Sequence, residues 1–270
     1  MIKIIIDSAS DINKDYLKKH SEIDIINIPL LHKEKNICDL SIDEFYNLIE
    51  NDVELPTTSQ INPETYMNYF KKYKNDIILC ICLSSGLSGT YSSANLAKNM
   101  LEDEQDVSNI YIFDSESATM GEGIFVEIAC ESIQSGKNIL EVINILEDSK
   151  KRIHFLAVVD DLSYLYKGGR LSKTENMLGT ALNIKPILTI QDKKVCVFQK
   201  ARGLKKANSI ILNEIQKDNI DKLYIGCCKS WDSYDNFKHE LNIPFTEFQI
   251  GSIIGTHTGP KCYGAIYLTK

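Results

Sequence analysis

The chain has 270 residues, 43% of them hydrophobic and 25% charged, with a formal net charge of −7. That balance is expected of a soluble globular protein with a real core, built as one large domain or two modest ones. The negative charge, with no basic stripe interleaved with aromatics, argues against a nucleic-acid partner.

In chain order, residues 2–6 read as a buried strand, residues 12–19 as a helix and residues 23–31 as strand again. "SIDEF" predicts a helix opened by a capping box, with Ser41 as N-cap and Glu44 three residues on. After "PTTSQ", Asn62-Pro63 opens another helix whose apolar face is Tyr66, Met67, Phe70 and Tyr73. "DIILCICL" is a strand, "SSGLSGT" a loop, residues 91–101 a helix and "IYIFD" the next strand, with helices following to about Lys150. Strands alternating with helices predict a parallel sheet covered on both faces.

Beyond Lys150 the pattern changes. "IHFLAVV" is a strand, "DDLSYLYKGGR" a short helix stopped by glycines, and "KPILTI" and "KVCVF" a hairpin joined by "QDKK". A helix over residues 204–215, the strand "KLYIGCC", a helix over residues 231–241 and the strands "FTEFQI" and "CYGAIYL" complete a mixed sheet. The expected architecture is α/β and two-lobed: residues 1–150 as an N-terminal parallel-sheet domain, residues 151–270 as a C-terminal mixed-sheet domain. The N-terminal "MIKIIIDSAS" lacks the long apolar stretch of a signal peptide, and "IILCICL" is too short to cross a bilayer. Eight cysteines without a C-x-x-C pair read as reduced thiols, so a cytoplasmic location is expected.

Three loops are dense in hydroxyls: Thr57, Thr58 and Ser59; Ser84, Ser85, Ser88 and Thr90; and Thr256 and Thr258 around His257. In open α/β sheets, ligands sit at strand carboxyl ends against helix N-termini, and Ser88-Gly89-Thr90 before a helix suits a carboxylate or phosphate. Helix capping is the plainer role for these hydroxyls. Walker, dinucleotide and H-E-x-x-H motifs are absent, and five scattered histidines point to no metal site. "GLSGT" misses the nucleophile elbow G-x-S-x-G only at Thr90. Ser88, Asp114 or Asp160, and His257 follow the chain order of an α/β-hydrolase, so an esterase or thioesterase using Ser88 and His257 is the alternative function.

Taken together, "DSASDI" (7–12), "TSQ" (58–60), "SSGLSGTYSSA" (84–94), "DDLSYLYKGGRLS" (160–172), "LNIKPIL" (182–188) and "THTGP" (256–260) resemble the DegV family. These are bacterial fatty-acid-binding proteins whose better-understood members are the FakB subunits of fatty acid kinase. The resemblance spans nearly the whole chain. It implies a two-lobed protein enclosing one long-chain fatty acid of the palmitate or oleate class, with no cofactor, no metal and no catalysis of its own. The family's carboxylate-binding threonine falls on Thr58. Its serine falls on Ser88, with Ser85 as the other candidate and Ser59 adjacent, and its histidine falls on His257. The partner-facing arginines fall on Arg170 and Arg202, and the partner implied is a FakA-like, ATP-dependent fatty acid kinase that makes acyl phosphate for phospholipid synthesis. The resemblance also leaves room for transient contact with a membrane surface. Two positions depart from the family pattern: Lys261 follows "THTGP" where glycine is usual, and Gly203 follows Arg202.

Physics sets a matching demand. Burying sixteen carbons gains on the order of 12 kcal/mol at ~0.8 kcal/mol per CH₂. Association costs about 4–15 kcal/mol, so an enclosed apolar pocket is required.

Overall fold

The computed structural model describes residues 1–104, 106–171, 183–217, 219–229 and 231–270. Ser172 and Leu182, at the ends of two of the quoted motifs, lie outside the described residues. The chain divides into two compact units: residues 1–29 with 58–150, and residues 30–57 with 151–270.

The first unit is built on a parallel sheet of β1 (Ile2–Asp7), β2 (Ile23–Ile26), β6 (Ile77–Cys82) and β7 (Ile110–Asp114), in the order β2-β1-β6-β7. Continuous runs such as "IKIII" and "IILCIC" form its centre because both faces are covered, so the strands need no polar alternation. Around them lie α1 (Lys14–Lys19), α3 (Pro63–Lys72), α4 (Thr90–Leu101), α5 (Met120–Gln134) and α6 (Ile139–Ser149). Asn62 caps α3 by accepting the Glu64 N–H, with Pro63 in the first turn, and Tyr66 and Phe70 carry its buried face. The chain leaves β1 for β2 on one side and returns to β6 on the other. The β1–β6 junction is therefore the topological switch point, where the carboxyl ends of diverging strands open a crevice.

The second unit holds a six-stranded mixed sheet: β8 (Ile153–Val159), β9 (Ile184–Gln191), β10 (Lys194–Arg202), β11 (Ile220–Cys227), β12 (Thr246–Gln249) and β13 (Cys262–Thr269), in the order β10-β9-β8-β13-β11-β12. Only β11–β12 is parallel among these pairs. The β9–β10 hairpin turns at Asp192 and Lys193, both at positive φ, as a two-residue hairpin turn matched to strand twist requires. Helices α8 (Leu204–Lys217) and α9 (Asp232–His239) bring Ile211, Ile215 and Phe237 into a core centred on Tyr263. The unit also takes in the short strands β3 (Leu30–His32) and β4 (Lys35–Asn36) and the helix α2 (Ile42–Asn51), opened by the expected Ser41–Glu44 capping box. The strand expected over residues 23–31 is thus two, β2 and β3, in different units. β5 (Thr57–Thr58) lies where the chain passes back to the first unit.

Helix α7 (Ser163–Lys167) ends at Gly168 and Gly169, as the sequence predicts. The "SIIGTHT" stretch is not a loop: it forms a short helix, α10 (Ser252–Thr258), and Gly259 at φ 76° turns the chain into β13. The Thr256 and Thr258 hydroxyls bond back to the Ser252 and Ile254 carbonyls, which lets two poor helix formers sit within it. All eight cysteines are free thiols.

Candidate functional site

In the first unit, the loops after β1, β6 and β7 are tied together at the carboxyl edge of the sheet. The buried Asp7 carboxylate accepts the Ala9 and Leu83 N–H groups at 3.0 and 2.8 Å, joining β1 to β6 across the switch point. Ser84 N donates to the Ser117 carbonyl at 3.0 Å. Burial pushes the Asp7 carboxyl up to about 6, against the lowering effect of those two N–H donors. Glu122, in the first turn of α5 and fully buried, is held well above the ordinary carboxylate range, first by burial and then by the negative charge of Asp7.

Two of the hydroxyl loops meet in this unit. Gly89, the N-cap of α4, lies so close to Gln60 that a β-carbon there would stand 1.8 Å from Gln60 Oε1. The "TSQ" segment therefore lies directly against the N-terminus of α4. Ser88 Oγ accepts the Thr90 N–H at 3.2 Å and sits 2.9 Å from Thr90 Oγ1. Its hydroxyl, one residue ahead of the N-cap, meets the first N–H of the helix, and backbone N–H groups there favour an anion. Thr58 and Ser88 are both half-buried, and Ser59 is exposed.

Ser85 is differently engaged. Its hydroxyl donates to Asp114 Oδ2 at 2.6 Å and its N–H to Asp114 Oδ1 at 3.0 Å, closing the loop onto the end of β7. A hydroxyl committed to a buried carboxylate has its one proton in use, so Ser88 is the freer donor of the two. A second feature of this edge has no plain sequence signal. Thr119, a β-branched residue, caps α5 at φ 52°, and its hydroxyl donates to Asp11. Such backbone costs of order 1–3 kcal/mol and gathers at ligand-binding loops.

In the second unit, His257 sits near the end of α10, half-buried against α7, where a β-carbon on Gly168 would come within 2.3 Å of its Nδ1. Burial pushes its pKa down to about 3, and the nearby Arg170 charge adds to that, so the imidazole is neutral at physiological pH. Arg170 is itself half-buried and donates to the Gly168 carbonyl. Burial lowers its pKa, though an arginine keeps its charge throughout. The two residues thus form one cationic, donor-bearing patch, a pairing the sequence pattern does not reveal. Arg202 is exposed at the end of β10, just before Gly203 at φ 82°.

The hydrolase reading finds little support in these geometries. A nucleophile elbow puts its serine on a strained turn directly after a strand. Ser88 lies six residues beyond the end of β6 and has no positive φ, and Gly89 is helical at φ −74°. Asp114 is held by Ser85, and Asp160 pairs with Lys185 at 2.7 Å.

Among the described residues, no helix is long and apolar enough to cross a membrane.

These features describe an α/β protein with an anion-suited, hydroxyl-lined edge at the switch point of a parallel sheet. The chain belongs to the DegV family: the family model described as "Uncharacterised protein, DegV family" matches residues 1–270. A DegV domain-containing protein of Caldanaerobacter subterraneus subsp. tengcongensis is 33% identical over 287 residues, covering 100% of this chain and 99% of that protein. A Thermus thermophilus structure described as fatty acid binding of a DegV family protein superposes with TM-score 0.89 at 26% identity, covering 100% of this chain and 99% of that one. The structure of DegV from Bacillus subtilis, described as a fatty acid binding protein, gives TM-score 0.86 at 30% identity, with 100% and 99% covered.

Proposed function

We propose that this chain binds one long-chain fatty acid and presents it to a separate fatty acid kinase, which would form the acyl phosphate. The observation that carries the reading is the junction of Thr58-Ser59-Gln60 with Ser88 at the N-terminus of α4, in a chain whose whole length matches fatty-acid-binding DegV structures. A carboxylate taken from water costs several kcal/mol unless it is hydrogen-bonded. Thr58 and Ser88 supply hydroxyl donors and α4 supplies backbone N–H groups. His257, neutral, supplies one N–H donor, and Arg170 supplies positive charge near it. Ser85, bound to Asp114, holds the loop's shape, and Ser59 flanks Thr58.

No atom in this set needs to be a nucleophile. The protein acts as a carrier, and the chemistry at the carboxylate belongs to the partner. Arg202, exposed on β10, and Arg170, beside His257, are the residues we assign to the kinase-facing surface. A cytoplasmic location fits a carrier that collects an acid released at the membrane surface.

The test is mass spectrometry of the purified protein, native and then denatured, with the released lipid identified. One equivalent of a long-chain fatty acid, or uptake of one equivalent of added oleate or palmitate after delipidation, supports the carrier. A protein that stays empty, or that turns over p-nitrophenyl esters in a Ser88-dependent way, overturns it in favour of the hydrolase. Charge reversal by Arg202→Glu is expected to leave lipid content intact and to cut acyl-phosphate formation with a matching kinase.

A further inference from the structure

On the first unit, away from the hydroxyl loops, three different metal-ligating side chains converge. His20 follows the last residue of α1, Glu22 stands two residues later ahead of β2, and Cys130 projects from α5. Their ligand atoms all lie within 4.8 Å of one another. His20 Nδ1 is 2.7 Å from Glu22 Oε1. The Cys130 thiol is buried on α5 beside Glu22. Tyr16, one turn before His20, stacks on its ring with centroids 4.1 Å apart and planes 14° apart. The imidazole is therefore held in orientation by the stacked Tyr16 ring.

We propose that His20, Glu22 and Cys130 form a Zn²⁺ site, with Tyr16 as the positioning residue behind it. The donor set decides the ion. Imidazole nitrogen, carboxylate oxygen and thiolate sulfur together are borderline-soft ligands that suit zinc and do not suit Mg²⁺ or Ca²⁺, which take oxygen. Tetrahedral zinc with bonds of ~2.0–2.3 Å places its ligand atoms about 3.3–3.7 Å apart. The 2.7 Å His20–Glu22 contact must open by somewhat less than 1 Å. A separation near the 4.8 Å limit must close by about 1 Å, and both are small side-chain adjustments. On binding, the thiol proton of Cys130 passes to solvent, and neutral His20 presents Nδ1 to the ion with its own proton on Nε2. Glu127 and Glu131 lie close enough on α5 to act electrostatically on Tyr16, and their negative charge favours a cation here. Three protein ligands leave a fourth position for a further donor. His20 and Glu22 are partly exposed, at 12% and 25% of the side chain, so an ion can reach the site from solvent.

The experiment uses the full chain, stripped with a chelator and titrated with Zn²⁺ against a chromophoric competitor. One equivalent is expected to bind, with Mg²⁺ and Ca²⁺ failing to compete. His20→Ala and Cys130→Ser are each expected to weaken binding by about tenfold or more. Because seven other cysteines are present, Co²⁺ is used as the second probe. A thiolate-to-cobalt charge-transfer absorption in the wild type, absent in Cys130→Ser, identifies the sulfur. If His20→Ala does not fold, the wild-type cobalt spectrum and Cys130→Ser still decide. No retained Zn²⁺, unchanged affinity in Cys130→Ser, or no sulfur-to-cobalt band overturns the site.

Discussion

The main chain of Gly168 lies against the His257 ring so closely that any β-carbon there would stand 2.3 Å from Nδ1. Glycine is needed for space and not for backbone freedom, since Gly168 is helical at φ −74°. Gly168→Ala is therefore expected to move the imidazole rather than to unfold the protein. The cost in stability should be that of local overpacking, about 1–3 kcal/mol. Fatty-acid retention in a lipid-release assay should fall toward that of His257→Ala. Wild-type retention in Gly168→Ala would mean that the position of His257 does not matter to the ligand.

His257 is neutral in the folded protein because burial and the Arg170 charge both oppose its protonation. What its ring can offer a ligand is therefore a neutral N–H and not a charge. In the lipid-free protein its ring resonances are expected not to titrate between pH 5 and pH 8. His257→Ala should weaken retention of the acid, while His239→Ala, at the exposed end of α9, should not. A ring titrating near the ordinary histidine value would assign it a charged role instead.

Ser85 and Ser88 stand three residues apart and separate two kinds of effect. Ser85→Ala removes the 2.6 Å donor to the buried Asp114 carboxylate and should cost about 1–3 kcal/mol of stability. Ser88→Ala loses a hydroxyl that, among the described residues, bonds to Thr90 two positions on, and it should melt within a few degrees of wild type. Lipid retention should follow the reverse order, with Ser88→Ala the weaker binder. Matching profiles for the two variants in melting and in lipid content would defeat the assignment of Ser88 as the ligand-facing hydroxyl.

Much of this arrangement is legible in the sequence, and the reasons it is differ from place to place. The Ser41–Glu44 capping box, Pro63 and the glycines after α7 are local signals, written within four residues, and each marks the element it should. The buried strands show through because a sheet covered on both faces permits unbroken apolar runs. The helix over Ser252–Thr258 was hidden by its composition, since Gly, Thr and His all rank low as helix formers and only tertiary contact selects the helix. Part of that contact is Tyr46 on α2, whose hydroxyl bonds the Ile250 carbonyl and whose ring requires Gly255. The pairings Ser85–Asp114, Gly89–Gln60 and Arg170–His257 are long-range in sequence or depend on side-chain direction. No spacing rule encodes them. The same holds for His20, Glu22 and Cys130, two of which are more than a hundred residues from the third.

Asp7 sets a pH dependence whose sign can be worked out. In the native state its carboxyl is raised from 3.8 to about 6 by complete burial. In the unfolded chain it returns to the ordinary value. Between those values the native state holds a proton that the unfolded state has released, so stability from this group is complete below about pH 4 and is lost as pH rises through about 6. The difference amounts to about 3 kcal/mol. His257 works in the opposite sense: neutral when folded, it contributes stability above its unfolded value that is lost as pH falls toward about 3. The Asp7 effect is therefore read as a difference between wild type and Asp7→Asn, in which the His257 contribution cancels. Asparagine cannot accept from both the Ala9 and Leu83 N–H groups as the carboxylate does, so the variant is less stable throughout. The gap between the two proteins should narrow by about 3 kcal/mol between pH 4 and pH 7 in urea titrations. A gap that stays constant over that range would mean that Asp7 is ionised in the folded protein, with its two backbone donors outweighing its burial.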